Sequence, residues 1–395
     1  MFDPSPPSAP AAPQPTAGGL IRLARAPLAA FAAMGVVWGS FAAALPDLKA
    51  MLGVEEAQLG QLLLFTPIAA VLAMLCAPAF GARAGRAALP VAALAMAAAF
   101  ALPGQAAGLV VFPLAMLACG AATGLTDVLM NARVAQIETE RGLHLMNLCH
   151  AAYSFGYAGG ALITGVLRGM GWGPDWVMGT MATLAVLLAL LTLDAQGKIT
   201  GLKTPPGTGA ARLGLVPVIG GGIVLIAFLT ENAAENWSAL HIEQTLGGSP
   251  EQGAMGPAAL ALTMGFARLA GQGLVARITP FRLLAGGAVI SACGALGAAM
   301  ATSPALAYAG FIVMGIGSSV IAPTAFSLVG RLSEPQARAR AVARATLLGY
   351  FGYFFGPPLL GLIAGSLGLR FAFVFAAVML LVVLILVPLM ARRAG

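Results

Sequence analysis

Three carboxylates, Asp127, Glu231 and Glu235, lie inside long apolar stretches of this chain. A carboxylate at the centre of a membrane-crossing helix costs about 2.5–3.5 kcal/mol on insertion scales, so something must offset it. Binding a proton, a cation or a polar solute is one way; a fixed ion pair between helices is the other. For Asp127 and Glu231 the first reading leads. Glu235 stands nearer the end of its stretch, where plain solvation is an equal alternative.

Each acid has polar company. Asp127 sits in GLTDVLMNARVAQIE, with Asn131 one helical turn on and on the same face. The next stretch begins near residue 146 and carries His150 close to its start, with Asn147 and Tyr153 three residues to either side. At about 1.5 Å per residue, Asp127 and His150 differ in expected depth by only about 4–5 Å. Antiparallel neighbours could bring them together as a proton-carrying pair; the alternative is a His150 that merely hydrogen-bonds a carbonyl near the membrane surface. In TENAAENW, Glu231 and Glu235 are four residues apart and share a face with Asn236 and Trp237 nearby. Two carboxylates so placed repel unless one is protonated or a cation lies between them. Arg268 is the arginine placed within a stretch. It is either the counter-charge for an acid across the bundle or an anchor whose head reaches the membrane surface.

The elements that hold these groups follow from composition. Apolar residues make up 59% and charged residues 9%, against typical soluble values near ~45–50% and ~25%. Runs long enough to cross a bilayer occur at 27–46, 57–79, 87–104, 108–134, 146–167, 175–193, 214–237, 253–275, 283–301, 305–330, 341–364 and 370–391. Lipid offers no partner for backbone N–H and C=O groups, so these twelve spans are expected to be helices. With the N-terminus inside, the outer side receives Lys49, Arg168 and Arg370, Arg268 lies within a span, and the other seventeen of the 21 basic residues fall inside. That asymmetry orients the chain with both termini cytoplasmic. It also accounts for the net charge of +7 as topology anchors, so no nucleic-acid partner is expected.

Residues 1–26 read as a disordered cytosolic tail, with five prolines by residue 13. Two six-helix units follow, 27–193 and 214–391, joined by a polar cytosolic linker at 194–213, and 392–395 form a short tail. The units echo one another: FGYAGGALITG at 155–165 and FGYFFGPPLLG at 351–361 start 196 residues apart, and Cys119-Gly120 against Met314-Gly315 repeats at nearly that spacing. Echoes sharing one offset mark a duplicated module, the usual build of secondary transporters. Glycines such as Gly120, Gly124 and Gly156 suit close helix approach, and Pro357-Pro358 should bend or break its helix. The four cysteines share no metal-type spacing and read as packing residues.

The motifs DVLMNARVAQIE (127–138), MNLCHAAYSFGYAGGA (146–161), ENAAENWSALH (231–241), MGFARLAGQGLVAR (264–277) and LLGYFGYFFGPPLLGLIA (347–364) together resemble the major facilitator superfamily over nearly the whole chain. More narrowly they look like its branch of fucose-permease-type sugar–proton symporters and YbjJ-like bacterial inner-membrane proteins. The resemblance implies an all-α membrane protein of twelve transmembrane helices in two pseudo-symmetric six-helix bundles, and cation-coupled movement of a small solute. It assigns Asp127, Asn131 and His150 to the polar site of the first half, and Glu231, Asn236, Trp237 and Arg268 to that of the second. Two positions depart from the family pattern: Ala82 and Gln272 stand where an acid would help latch the cytosolic gate.

The expected function is therefore proton-coupled symport of a small polar organic solute, sugar-like in the first instance, across a bacterial inner membrane. Asp127, with His150 and Glu231, is the expected proton carrier; Asn131, Asn147, Tyr153, Glu231, Asn236, Trp237 and Arg268 are the expected solute contacts. A proton-driven exporter of drugs or metabolites and a non-transporting membrane sensor are the alternatives. Protons, the solute and membrane lipids are the expected partners of a monomer. No enzyme activity and no cofactor are expected, since three histidines and no metal-ligand spacing offer little chemistry.

Overall fold

A computed structural model describes residues 17–200, 202, 214–270, 278–334 and 337–393. Fourteen α-helices and no strand occur among the described residues. The first half contains α1 (Ala17–Leu23), α2 (Arg25–Leu52), α3 (Glu56–Leu63), α4 (Phe65–Ala84), α5 (Ala88–Ala99), α6 (Val111–Arg141), α7 (Met146–Gly169) and α8 (Pro174–Leu190). The second half contains α9 (Val216–Leu240), α10 (Pro250–Ala270), α11 (Pro280–Met300), α12 (Pro304–Leu332), α13 (Arg338–Leu367) and α14 (Leu369–Ala391). A π-helical turn, His241–Thr245, extends α9.

Every one of the twelve expected spans falls on helix. The second is divided at Leu64 into α3 and α4, and residues 271–275 of the eighth lie outside the described residues. Among the described residues, eight helical runs are long and apolar enough to cross a membrane, and Pro174–Leu190 is a shorter apolar helix. Large apolar side chains face outward along them, Leu75 at 75% exposure and Ile385 at 63% among them. A water-facing protein does not carry such a surface; hydrocarbon covers it.

The same packing recurs in both halves. In the first, α2 lies along α7 and α8, α6 along α4 and α5, and α5 along α8. In the second, α9 lies along α13 and α14, α12 along α10 and α11, and α11 along α14. Both main pairs are close enough to need glycine. A Cβ at Gly39 would stand 1.9 Å from the carbonyl oxygen of Tyr157, and one at Gly352 would stand 2.3 Å from that of Leu225. Backbone contact of this kind replaces hydrophobic association inside lipid.

The halves meet along α7–α10 and α3–α13. One end of the molecule carries residues 194–202, and we name it the linker end; the opposite one is the far end. At the far end α3 presses on α13, where a Cβ at Gly60 would meet the Pro357 carbonyl oxygen at 2.3 Å. Towards the linker end α4 draws away from α13.

Three local expectations change. The chain is already helical from Ala17, so the expected tail of 1–26 holds a helical turn at its end; residues 1–16 lie outside the described residues. Of the bend or break expected at Pro357-Pro358, the break does not occur: α13 runs unbroken from Arg338 to Leu367. Neighbouring contacts hold the backbone where the prolines remove hydrogen bonds. The first part of the 194–213 linker is docked: Asp194 Oδ2 accepts from Arg133 at 3.1 Å, and Ile199 is buried. Residues 201 and 203–213 lie outside the described residues, as does Gln272; Ala82 is exposed near the end of α4.

Candidate solute and proton site

Between the halves lies a central cavity of about 300 Å³. The first half contributes Asp127 from α6, His150, Tyr153 and Tyr157 from α7, and Phe31, Met34, Trp38 and Phe41 from α2. The second contributes Phe228, Glu231, Asn232, Glu235 and Asn236 from α9, with Tyr350, Tyr353 and Pro357 from α13. Its walls are aromatic and its polar groups few, as expected of a solute site between helices.

Asp127 is the most connected of the acids. Asn131 Nδ2 donates to its Oδ1 at 3.1 Å and to its backbone oxygen at 2.9 Å. Across the cavity, Tyr350 Oη donates to Asp127 Oδ2 at 3.2 Å, so one hydrogen bond joins the halves through this carboxylate. Glu231 and Glu235 differ. Both line the cavity, and among the described residues neither accepts a hydrogen bond or an ion pair. Asn232, beside them, is buried with its Oδ1 unpartnered.

The far end carries the opposite pattern. Arg168, at the end of α7, has a side chain only 1% exposed. Its Nε and Nη2 donate to Asp47 Oδ2 and Oδ1 at 2.7 Å each, Nη1 and Nη2 donate to Glu243 Oε1 and Oε2 at 2.7 and 2.9 Å, and Nη1 also donates to the Ala43 carbonyl at 2.7 Å. All five guanidinium donors are used. Glu243 belongs to the second half, so this ion pair fastens the halves together. Lys49 Nζ adds a 2.5 Å contact to Glu56 beside it.

Of the residues expected from sequence, Asp127, His150, Tyr153, Glu231, Asn236 and the undecided Glu235 all line one cavity. Their contacts differ from those expected. His150 does not bond Asp127; its ring sits edge-on to Phe31 at 4.9 Å. The two helices hardly touch, because α7 packs on α2 and α10 instead of on its neighbour in sequence. Asn147 is exposed at the start of α7, and Asn131 acts behind Asp127. Trp237 is fully buried outside the cavity, against the α3–α13 contact at Gly361. Arg268 forms no ion pair with Glu231 or Glu235; its Nη1 donates to Ser154 Oγ at 3.2 Å across the α7–α10 seam. Its charge nonetheless reaches both acids and His150 at longer range.

Residues that sequence reasoning passed over include Trp38, Phe228, Asn232, Tyr350 and Tyr353, along with the Asp47–Arg168–Glu243 cluster. A signal existed for two of these. Tyr157 and Tyr353 hold the same place in the repeated Phe-Gly-Tyr, and both face the cavity. Arg168 was conspicuous as a basic residue on the side that has few.

A relative from Yersinia pestis, an uncharacterised MFS-type transporter, is 32% identical over 358 residues, covering 90% of this chain and 92% of that one. The chain belongs to the major facilitator superfamily. The family model of that description matches residues 219–394. Membrane protein MosC of Rhizobium meliloti is 25% identical over 348 residues, 86% of this chain and 83% of that protein. Among solved structures, a bacterial homolog to the human lysosomal transporter Spinster, inward-facing and occupied, superposes with a TM-score of 0.75 at 16% identity, covering 94% of this chain and 97% of that one. A D-xylose-proton symporter gives a TM-score of 0.68 at 15% identity, covering 93% and 97%. These two likenesses concern fold alone. This major facilitator is a multi-pass membrane transporter and not an enzyme.

Proposed function

We propose that this major facilitator is a proton-coupled symporter that brings a small polar organic solute across the bacterial inner membrane. Two bundles, 27–193 and 214–391, rock about the central cavity, with 194–213 as the cytosolic linker between them. The arginine-rich linker end faces the cytosol, and the fastened far end faces out, so the conformation described here is inward-facing.

The observation that carries the reading is the Asp127–Tyr350 hydrogen bond of 3.2 Å. It joins Asp127, the first-half carboxylate among the residues lining the cavity, to a side chain of the second half. Protonating or ionising Asp127 changes what Tyr350 can bond to, and so changes how readily the halves separate. His150 and the two glutamates share the cavity but lack that bridge. One charge moving through about 100 mV supplies about 2.3 kcal/mol, enough for roughly fortyfold accumulation.

The test begins with a thermal-shift screen of purified protein against polar metabolites at two pH values, followed by uptake of the hit into proteoliposomes. With an imposed proton gradient the wild type should concentrate the solute. Asp127→Asn should still exchange it down its own gradient but should no longer concentrate it. Accumulation that survives in Asp127→Asn removes the residue from the proton path.

A further inference from the structure

We propose that the solute carries a protonated amine, held between the Glu231–Glu235 face of α9 and the aromatic wall of the cavity. The inference rests on the transporter reading above and narrows it. Its first support is the imbalance of charge. Three carboxylates line the cavity, and His150 is the one lining side chain able to become cationic. Arg268 does not line it and is engaged with Ser154. Glu231 and Glu235, one helical turn apart, face the cavity with no donor supplied to either among the described residues. With a neutral solute the repulsion is relieved only by protonating one of them, whereas an ammonium between the two removes it with both ionised.

Hydrogen-bonding capacity points the same way. The second-half wall offers acceptors in excess: two carboxylates that line the cavity and accept no hydrogen bond among the described residues. An ammonium has three donors and no acceptor. The surrounding rings complete the match. Phe228 stacks on Tyr353 at 4.7 Å, Tyr350 stands 6.0 Å from Phe228, and Trp38 faces them from the first half. Aromatic faces attract an ammonium through the negative quadrupole of the ring. A bare metal ion is the poorer fit, since no group of three or more His, Cys, Asp or Glu able to hold one occurs among the described residues. The volume of about 300 Å³ sets the size at a small molecule.

The experiment compares three probes of one shape on the purified full chain: phenethylammonium, phenethyl alcohol and phenylacetate, titrated by thermal shift. The expected order is amine first, then alcohol, then acid. Glu231→Gln and Glu235→Gln should each weaken the amine about tenfold or more, because each removes a charge-assisted contact, while leaving the alcohol unchanged. The wild-type ranking stands even where a variant fails to fold. An alcohol or acid that binds as tightly as the amine overturns the proposal, and so does an amine that gives no shift. Uptake of the same probes into proteoliposomes separates this from the function proposed above. Amine that binds but does not respond to an imposed proton gradient supports the site and overturns proton-coupled transport. Alcohol that binds and is concentrated overturns the amine site and supports transport.

Discussion

Carboxylates do opposite work at two levels of this molecule. At the far end Asp47 and Glu243 are saturated by one arginine whose side chain is 1% exposed. Some way along α9, Glu231 and Glu235 face a cavity and accept no hydrogen bond or ion pair among the described residues. Both arrangements use α9, which runs from the cavity wall into the turn that carries Glu243. An acid whose partner comes from the other half stores the energy of closure. An acid left open is available to whatever enters. The contrast suggests a division of labour along one helix, with the fastening at its end and the receiving site at its middle.

Removing the cation shared by Asp47 and Glu243 should unfasten the far end. Arg168→Ala leaves two carboxylates facing each other in a partly buried site, and losing one member of a buried pair costs about 3–5 kcal/mol. The cost falls on the far-closed state, because opening would let water reach both acids. Backbone hydrogen exchange should therefore rise in residues 47–63 and 241–254 while the interiors of the two halves stay protected. Arg168→Lys keeps the charge but cannot reproduce five donors, and should fall between. Unchanged exchange in Arg168→Ala would mean that the far end is held by packing alone.

Packing can be tested at two glycines of different standing. Gly39 touches Tyr157 within the first half, and Gly60 touches Pro357 in the other half. Adding one methyl at either site forces backbone apart, for about 1–3 kcal/mol. Gly39→Ala should lower the melting temperature, since it separates two helices that must stay together. Gly60→Ala should leave melting nearly unchanged and loosen only the far end, read by exchange in residues 56–63 and 357–365. Equal loss of melting temperature in both would show that the α3–α13 contact belongs to the folded core and does not open.

Much of this was legible before any coordinates. Twelve apolar runs fall on helices because hydrophobic length is a local property, set by about twenty neighbouring residues. Asp127, Glu231 and Glu235 announced themselves because charge inside apolar sequence is costly. What escaped was everything that depends on which helices touch. Adjacency in the chain offers an Asp127–His150 pair as one of two readings, yet the partner that Asp127 finds beyond its own helix is Tyr350, 223 positions away. Arg168 meets Asp47 and Glu243 across separations of 121 and 75 residues. Trp237 looked like a solute contact beside Asn236, but successive helical residues point about 100° apart. That turn sends Asn236 to the cavity and Trp237 to the α3–α13 seam.

A single hydroxyl separates the role of Asp127 from that of the two glutamates. Tyr350→Phe removes one hydroxyl and with it the hydrogen bond that crosses the cavity to Asp127. The ring stays in place beside Phe228 and Tyr353, so the aromatic wall is preserved. A hydrogen bond to a charged group is worth about 1.5–3 kcal/mol, and less where Asn131 remains to serve the same carboxylate. Stability should therefore change little. If the bond is what ties the state of Asp127 to the position of the second half, the ratio of concentrated to exchanged solute should fall in Tyr350→Phe while solute affinity holds. Were affinity to fall and the ratio to hold, Tyr350 would belong with the solute-binding wall, and the coupling between halves would have to run through α9 and its glutamates.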